Sequence, residues 1–557
     1  MAPGTATPAP QALLLTAAGH TCVAWWHAPA AASRIGAAPA LSLAVVLASS
    51  WGDEDVAGYG GLRALAIQLA GRGLGSLRFE WPDTGDSSAA TGTAAIADAL
   101  AAFDAAAAQA LVLSGCERLA FVGLRLGALL AAHAAARRRD VDALVAVMPV
   151  ASGRAFVQEQ RMLPARPGTR ASVPGAIFDA AELPVSLGGF TQSVRQLEAL
   201  SALKWPSAAT TSVLEALLLW PPDAPGRAAA DALARMGVQV REWAHAELSG
   251  ALAGPHPAGL AVAPIAEIVR WLQERAADAT VTRGVPAIED FGIADAGNDR
   301  AHAALATERL EAATAAVLAL SAAEAPVWMR LQAGGVAVRE RIVHVDAGPA
   351  LVGVLGERDT GAPETVPLSP RRAIVLLSPG GERRIGPHRM WVSWARHRAA
   401  AGDVVLRLDL AGSGDSDRRA APAGDPGCVD DVARVVAWLR REHGVGPCVV
   451  MGVRAGARRA WRVALEGLAV QQVVVIDPSI SHGKTFALMR EAGRRGMRLA
   501  RGGGVHGHEV AHADPTFAGA AGSARLHARL DALLVSAPAA ISRAAATASH
   551  RPAVAMT

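Results

Sequence analysis

A repeat at a fixed distance of 329 residues constrains this chain more than any other feature of its sequence. Four segments of the first half return in the second half at that distance, without a gap between them. The pairs are Ala44–Gly52 and Ala373–Gly381, Leu77–Ser87 and Leu406–Ser416, Phe121–Ala128 and Val450–Ala457, and Asp142–Pro149 and Gln471–Pro478. The second pair reads LRFEWPDTGDS and LRLDLAGSGDS. Matches at one distance over this length predict an internal duplication that made two related units in tandem.

Each unit alternates short apolar runs with segments long enough for crossover helices. The apolar runs of the first unit are Leu43–Ala48, Ser76–Phe79, Arg118–Val122 and Ala143–Met148. The helix-length segments between them are Gly61–Arg72, Thr93–Ser114 and Leu126–Arg138. Apolar strands without polar alternation, separated by helices, indicate an α/β fold whose mostly parallel sheet is covered on both faces. A dinucleotide-binding fold has the same alternation, but no GxGxxG follows the first strand of either unit.

The composition excludes several classes of protein. Hydrophobic residues make up 51% and charged residues 19% of the 557 residues, which is enough for full-sized cores. The net charge is only +4 and no basic block is present, so we expect no nucleic-acid partner. The four cysteines form neither a disulfide framework nor a zinc-ligand spacing. We therefore expect a reducing compartment, no metal and no other cofactor.

The sequence also predicts a protein without a membrane span. The first 33 residues lack Lys, Arg, Asp and Glu, and so lack the positive region of a secretory signal. The longest uncharged core stretch, Ile35–Gly52, is divided by a Gly/Pro-containing loop and a Ser/Gly turn. We expect a cytoplasmic protein, and the sequence leaves its oligomeric state open.

The sharpest local motifs are GLRLG at Gly123–Gly127 and GVRAG at Gly452–Gly456. Each follows an apolar run and precedes a helix-length segment. The flanking glycines allow a tight turn that holds the middle side chain at the carboxyl end of the sheet. In the nucleophile elbow of α/β-hydrolases, G-x-S-x-G, that middle residue is the nucleophile.

These motifs resemble the α/β-hydrolase superfamily, and more narrowly its serine-aminopeptidase-like bacterial members of the exopolysaccharide-associated type. The resemblance also rests on Gly188–Ser193 and Ser378–Met390, and it covers about residues 20–275 and 335–490. It implies two tandem α/β-hydrolase-like domains and a reaction on ester, thioester or amide bonds.

The chain departs from this family at the nucleophile itself, where Arg125 stands in one unit and Arg454 in the other. A guanidinium stays protonated and cannot attack a carbonyl carbon. One interpretation is that the arginines bind an anionic ligand, such as a carboxylate, phosphate or sulfate, at a helix N-terminus. The other is that they pair with acids on neighbouring loops.

The remaining triad members should follow in the order acid and then histidine. In the first unit, Asp223 follows the predicted strand Ser212–Trp220, and His256 precedes the predicted closing helix Ala261–Arg275. His245 is the alternative histidine, closer to the predicted last strand. Without a nucleophile to deprotonate, an aligned Asp223–His256 pair would be vestigial.

Other side chains are weaker candidates for a role at the site. Ser87 and Ser416 are expected to close their turns, Cys448 to be buried in a strand, and Ser152 to lie on a loop at the correct end of the sheet.

The loops equivalent to the oxyanion hole would be Ser49–Asp53 and Gly380–Pro387. Arg383 and Arg384 in the second loop favour an anion-binding cleft in unit two.

The domain division follows from the repeat and from composition. We predict a first domain at 1–284 with a cap insertion at about 151–211, a linker and helix at 285–335, and a second domain at 336–557. The linker would hold a helix at Ala301–Leu320, and Val338–Val354 would form a hairpin. The second domain would be C-terminally incomplete, with Leu530–Val535 as a late strand and an Ala-rich tail.

Two functional hypotheses remain from the sequence. The family resemblance implies a divergent hydrolase of ester, thioester or amide bonds, with any activity in unit one. The alternative is a non-catalytic pseudohydrolase that binds an anionic or acyl ligand or acts as a scaffold. The absence of Ser, Cys or Asp from both elbows favours the alternative.

Overall fold

The computed structural model describes the greater part of both units. The described residues are 8–30, 43–88, 95–162, 185–187, 190–207, 211–223, 227–252, 262–281, 327–345, 348–361, 370–379, 382–419, 427–476, 499–501, 527–528, 530–532, 534 and 553–556. The predicted linker helix Ala301–Leu320 and the candidate His256 lie outside them.

The first unit contains an eight-stranded sheet and a separate two-stranded hairpin. Its strands are β1 (Gln11–Ala17), β2 (His20–His27), β3 (Leu43–Ala48), β4 (Ser76–Phe79), β5 (Arg118–Leu124), β6 (Val141–Val147), β7 (Val185–Leu187), β8 (Phe190–Gln192), β9 (Glu215–Trp220) and β10 (Gln239–Ala244). The sheet order is β1-β2-β4-β3-β5-β6-β9-β10, and β7 pairs with β8. β1–β2 and β2–β4 are antiparallel, whereas the rest of the large sheet is parallel.

Helices cover both faces of this sheet. They are α1 (Asp53–Gly71), α2 (Ile96–Ser114), α3 (Leu126–Ala135), α4 (Gly153–Met162), α5 (Val194–Ala202), α6 (Arg227–Arg235) and α7 (Val262–Val281). One apolar core lies between the sheet and α2, α3 and α6, and a second lies between the sheet and α1 and α7. Because both faces are covered, central strands such as β3 are buried at every position.

The second unit repeats the order of the first six strands of the large sheet, with one strand added at an edge and the last two strands in reversed chain order. Its strands are β11 (Met329–Ala333), β12 (Val336–Val345), β13 (Leu351–Arg358), β14 (Ala373–Leu377), β15 (Val404–Leu408), β16 (Cys448–Val453), β17 (Gln472–Ile476), β18 (Leu499–Arg501) and β19 (Ala553–Met556). The sheet order is β11-β12-β13-β15-β14-β16-β17-β19-β18. Its helices are α8 (Met390–Ala400), α9 (Cys428–His443) and α10 (Ala455–Leu465).

In the described part of unit two, the strands at the C-terminal side of the sheet are shorter than those of unit one. In unit one, β6 is followed in the sheet by β9 and β10, which have six residues each. In the described part of unit two, β17 is followed by β19 and β18, which have four and three residues. The prediction of two α/β units with mostly parallel sheets is confirmed.

The local predictions succeed where the apolar pattern is continuous. β3 and β4 have the bounds that the sequence predicts, and the hairpin predicted at Val338–Val354 is formed by β12 and β13. α1 begins at Asp53, eight residues before the predicted start at Gly61. Three acids in its first turn suit the positive end of the helix dipole, which explains the earlier start.

The strand predicted at Leu530–Val535 is wrong. The described residues there, 530–532 and 534, are helical. Leu530 and Leu534 are buried in the same apolar cluster as Trp391 and Trp394. Leucines four residues apart lie on one face of a helix, and a short apolar run does not distinguish this arrangement from a strand.

Among the described helices, α2 is long and apolar enough to cross a membrane by length and composition alone. In this fold Ala102, Phe103 and Ala106 of α2 are fully buried in the core of unit one. The core helix of an α/β sheet passes the same test, so α2 needs no membrane to account for its composition.

Candidate functional site

The two predicted elbows have the same strained backbone. Arg125 joins β5 to α3 with φ 54° and ψ −116°, and Arg454 joins β16 to α10 with φ 53° and ψ −113°. Positive φ is rare for a residue with a Cβ and persists only where the surrounding structure holds it. The backbone N–H of Arg125 donates to the carbonyl of Val147 at 2.9 Å, and that of Arg454 donates to Ile476 at 3.0 Å.

The flanking glycines are required by close backbone contacts. A Cβ added at Gly127 would lie 2.3 Å from the carbonyl oxygen of Ser49. A Cβ added at Gly456 would lie 2.3 Å from the carbonyl oxygen of Leu377. In both units, therefore, the first turn of the helix passes directly against the end of the central strand, so only glycine fits there.

The strand order and these two elbows together decide the architecture. Both units have the α/β-hydrolase fold. In that fold, the carboxyl ends of the parallel strands carry the loops around the elbow, which places Arg125, the end of β6 and the end of β9 at one edge of the sheet.

Some solved structures are similar to parts of this chain, at low identity and low TM-score. No protein-family profile matches the sequence, and no curated protein resembles it significantly. A hypothetical protein, PA2218, from Pseudomonas aeruginosa is similar in structure, with 15% identity and a TM-score of 0.36 over 49% of this chain and 95% of that one. Est1E from Butyrivibrio proteoclasticus has 15% identity and a TM-score of 0.33 over 48% of this chain and 99% of its own.

A third similar structure is XC6422 from Xanthomonas campestris, which is described as a serine hydrolase without a lid. It has 12% identity and a TM-score of 0.29, and the match covers 50% of this chain and 97% of that one.

The side chain of Arg125 is held by carboxylates of its own unit. Its Nε lies 3.2 Å from Glu54 Oε1, and its Nη2 forms an ion pair with Glu159. Its Nη1 donates to the carbonyl of Met148 at 3.2 Å. The Glu54 carboxylate also accepts hydrogen bonds from Ser50 Oγ at 2.7 Å and from Gln160 Nε2 at 3.0 Å. The place of a nucleophile is thus filled by a neutralised ion-pair network.

The protonation of this network follows from burial and pairing. Burial raises the pKa of the Glu54 carboxyl above its ordinary 4.5, against the opposing effects of the Arg125 charge and the Ser50 hydroxyl. Burial alone would lower the pKa of Arg125, but the charges of Glu54 and Glu159 outweigh it and raise that pKa. Arg125 therefore stays cationic and cannot act as a general base or nucleophile.

The equivalent loop in unit two has the opposite charge. The residues 329 positions after Glu54 and Asp55 are Arg383 and Arg384, which are both buried. Arg383 Nη2 lies 3.2 Å from Asp55 and 3.2 Å from Glu80. Arg384 Nη2 lies 2.8 Å from Asp86. Arg384 Nη1 also pairs with Asp409 and Asp415 of its own unit. The anions bound by these two guanidiniums are thus carboxylates of the protein itself, and three of them belong to unit one.

The candidate acid Asp223 lies at the correct edge of the sheet but is exposed. It follows the parallel strand β9 and accepts a hydrogen bond from Ser249 Oγ at 3.5 Å, the limit of such a contact. His245, the alternative histidine, accepts a hydrogen bond at Nδ1 from the backbone N–H of Glu247. Since His256 lies outside the described residues, its alignment with Asp223 stays a prediction.

The alternative nucleophiles have local structural roles. Ser87 Oγ accepts from the N–H of Val23 at 3.0 Å, and Ser416 Oγ accepts from the N–H of Val352 at 2.8 Å, so both tie their loops to a neighbouring strand. Ser152 Oγ accepts a hydrogen bond from the backbone N–H of Ala155 in the first turn of α4. These contacts agree with turn-closing and capping roles.

Two further features bear on ligand binding. Ser49 and Ser378 follow β3 and β14 at equivalent positions, and neither buried hydroxyl has a hydrogen-bond partner among the described residues. Within the same part of the chain, no group of three His, Cys, Asp or Glu side chains is arranged to hold a metal ion. The burial of Cys448 in β16, which raises its pKa, removes it as a reactive thiol.

Sequence reasoning missed the residues that surround the first elbow. Glu54 and Glu159 pair with Arg125 although they come from two different segments, and Gln160 donates a hydrogen bond to Glu54. The available signal was the run of acids at 53–55 in the oxyanion-type loop, because an arginine at the elbow needs a nearby counter-charge.

Proposed function

We propose that this chain is a non-catalytic member of the α/β-hydrolase superfamily, a pseudohydrolase that binds or scaffolds rather than hydrolyses. The observation that carries the proposal is the Arg125 network, in which Glu54 and Glu159 neutralise a guanidinium at the nucleophile position. Hydrolysis by the serine mechanism needs a hydroxyl activated by a neighbouring base. Neither elbow supplies that hydroxyl.

The same geometry narrows what unit one can bind. An anionic ligand at Arg125 would have to displace Glu54 and Glu159, so an uncharged acyl group is the better fit. The hydroxyl of Ser49, which has no hydrogen-bond partner among the described residues and whose carbonyl lies against Gly127, supports a polar ligand contact beside the elbow.

We keep the domain division at 1–284, 285–335 and 336–557 as part of the proposal. The free cysteines support a cytoplasmic location.

The test is covalent labelling with a fluorophosphonate probe, together with a turnover screen on acyl esters and aminoacyl amides. We expect no stoichiometric labelling of the wild-type protein and no turnover above background. Stoichiometric labelling that disappears on Ser152→Ala would establish a displaced nucleophile and overturn the proposal.

An engineered elbow tests the vestigial acid and histidine. Arg125→Ser combined with Glu54→Gln restores a hydroxyl and removes the carboxylate that the arginine had neutralised. If Asp223 and His256 occupy the acid and histidine positions, this double variant should gain labelling, and the gain should vanish with Asp223→Asn or His256→Ala. A variant that stays folded and unlabelled would contradict the assignment of those two residues.

A further inference from the structure

The contact surface between the two units has an apolar part built from equivalent strands. Val23 and Trp25 of β2 form one buried cluster with Val352 of β13. Val23 and Val352 are 329 residues apart, so each is the counterpart of the other. The same strand of each unit therefore lies at the same surface.

Ion pairs across this surface are reciprocal. Arg78 of unit one contacts Asp415 of unit two at 2.9 Å, and Arg407 of unit two forms an ion pair with Asp86 of unit one. The two arginines are 329 residues apart, and so are the two aspartates. A contact between residues i and j that returns as a contact between j and i is the signature of a two-fold, isologous interface.

The loops that carry these aspartates are shaped alike. Glu80 Oε2 accepts from the N–H of Asp86 at 2.6 Å, and its counterpart Asp409 Oδ2 accepts from the N–H of Asp415 at 3.1 Å. This internal hydrogen bond holds each aspartate in place for the arginine of the other unit.

Each loop also has its carbonyls bound by an arginine from a helix of the other unit. Arg396 of α8 donates to the carbonyl oxygen of Asp86 at 2.9 Å. Arg63 of α1 donates to the carbonyl oxygen of Asp415 at 3.2 Å. Relative to the repeat distance, the positions of the two arginines differ by one helical turn. The contact between helix and loop is therefore made in both directions, although the arginine occupies a different position in each helix.

Three departures from symmetry each add an arginine to unit two. Arg384 lies 2.8 Å from Asp86 and is fully buried, but its counterpart in unit one is Asp55. Arg389 donates to the carbonyls of Asp83, Gly85 and Ser87, and its counterpart is Gly60.

Arg383 lies over the ring of Tyr59, 3.9 Å from the ring centroid. Two copies of unit one would lack these three arginines, and two copies of unit two would lack Tyr59 and Asp55. The added contacts therefore favour the pairing of unlike units.

We propose that this surface is a homodimer-type interface carried within one chain, and that Arg383, Arg384 and Arg389 have made it specific for pairing unit one with unit two. The partner that the surface fits is thus the other unit, and the linker is not needed to hold the two together. The proposal stands whether or not either elbow is catalytic.

The test is to cut the folded, full-length protein. A recognition site for a specific protease is inserted after residue 300, the purified protein is cleaved, and a denaturing gel verifies the cut. Native mass spectrometry and size-exclusion chromatography at falling concentration then measure the association of the halves. We expect a 1:1 complex of unlike halves. Separation at about 10 μM, or exchange into like pairs with an isotope-labelled sample, would overturn the proposal, because a Kd in that range reflects little specific contact.

Two substitutions test the two-fold character. Arg78→Met and Arg407→Met should each weaken the association of the cut halves by about 100-fold or more, since each removes a buried guanidinium that pairs with a buried carboxylate of the other unit. The two losses should agree within about tenfold. The matched control is Arg137→Met, which breaks an exposed pair with Asp104 inside unit one and should leave association unchanged.

A large loss for one arginine and none for the other would refute the reciprocal interface. If a Met variant does not fold, Arg78→Lys and Arg407→Lys, which keep the charge but not the guanidinium geometry, supply the same comparison.

Discussion

The loop after the central strand differs in charge between the two units although both place it beside the same elbow. Unit one has Glu54 and Asp55 there, and unit two has Arg383 and Arg384. Glu54 turns to its own elbow and binds Arg125, whereas the two arginines reach carboxylates of the other unit.

This difference shows how one repeated backbone acquired two roles. Conservation of the strands and elbows keeps the architecture, because these depend on apolar burial and on glycine at close contacts. Glu54 forms an ion pair inside its own unit, whereas its counterpart Arg383 pairs with carboxylates of the other unit. The units are consequently alike in fold but not interchangeable in the assembled chain.

The largest expected effect comes from removing the arginine that bridges three carboxylates. Arg384 contacts Asp86 at 2.8 Å, Asp409 at 2.6 Å and Asp415 at 3.0 Å. Arg384→Met removes the cation that these three buried carboxylates share and should lower the free energy of unfolding by about 3–5 kcal/mol. Urea denaturation of the full-length protein measures the loss. The control is Arg270→Met, at an exposed residue of α7, which should leave the free energy of unfolding nearly unchanged. A loss for Arg384→Met as small as that of the control would mean that water reaches the cluster.

The pH dependence of the free energy of unfolding tests Glu80 and its counterpart in unit two, Asp409. Burial raises the pKa of Glu80 from its ordinary 4.5 to about 7, with Arg383 and Arg384 opposing and Asp86 adding to the rise. The folded protein therefore keeps a proton that the unfolded chain releases above pH 4.5, so this group reduces stability as pH rises from about 4.5 to about 7.

Glu80→Gln should make the free energy of unfolding less dependent on pH. The change in this free energy between the two ends of that pH range should become smaller by on the order of 1–3 kcal/mol. Burial also raises the pKa of the counterpart Asp409, so Asp409→Asn should change the profile in the same direction. The exposed Glu242→Gln is the control. An unchanged pH profile for Glu80→Gln would show that the Glu80 carboxyl is ionised in the folded protein.

A smaller effect is expected at the elbow itself. Glu54→Gln removes the charge that faces Arg125 and should destabilise the protein by about 1–2 kcal/mol, while leaving the association of the cut halves unchanged. The equivalent substitution in unit two, Arg383→Gln, should weaken that association. Thermal unfolding and the association assay, run on both variants, distinguish a role inside one unit from a role at the interface. Equal effects of both substitutions on association would contradict the proposed difference between Glu54 and Arg383.

The smallest effect is expected at Asp223. Among the described residues, its exposed carboxylate accepts one hydrogen bond, from Ser249 at 3.5 Å, so Asp223→Asn should shift the free energy of unfolding by less than about 0.5 kcal/mol. A loss above about 1 kcal/mol in the same urea experiment would indicate a stronger partner, such as His256, and would support the predicted pair.

The sequence predicts local features of the backbone more accurately than contacts between residues far apart in the chain. β3 and β4 were predicted with their observed bounds because continuous apolar runs indicate buried strands. The elbows were predicted because glycines at two fixed positions identify a turn. The sequence predicts Leu530 as part of a strand, but the residue is helical, because a short apolar run is compatible with either structure.

The sequence alone predicts the central strands of both units and the two strained turns, because these follow from continuous apolar runs and from glycine at fixed positions. Only the tertiary structure decided which charges meet. Arg125 binds Glu54 from 71 residues away, and Arg383 binds Asp55 from 328 residues away. No local pattern encodes such pairs, because ion pairing is set by which surfaces the packed sheets bring together and by the cost of leaving a buried charge alone.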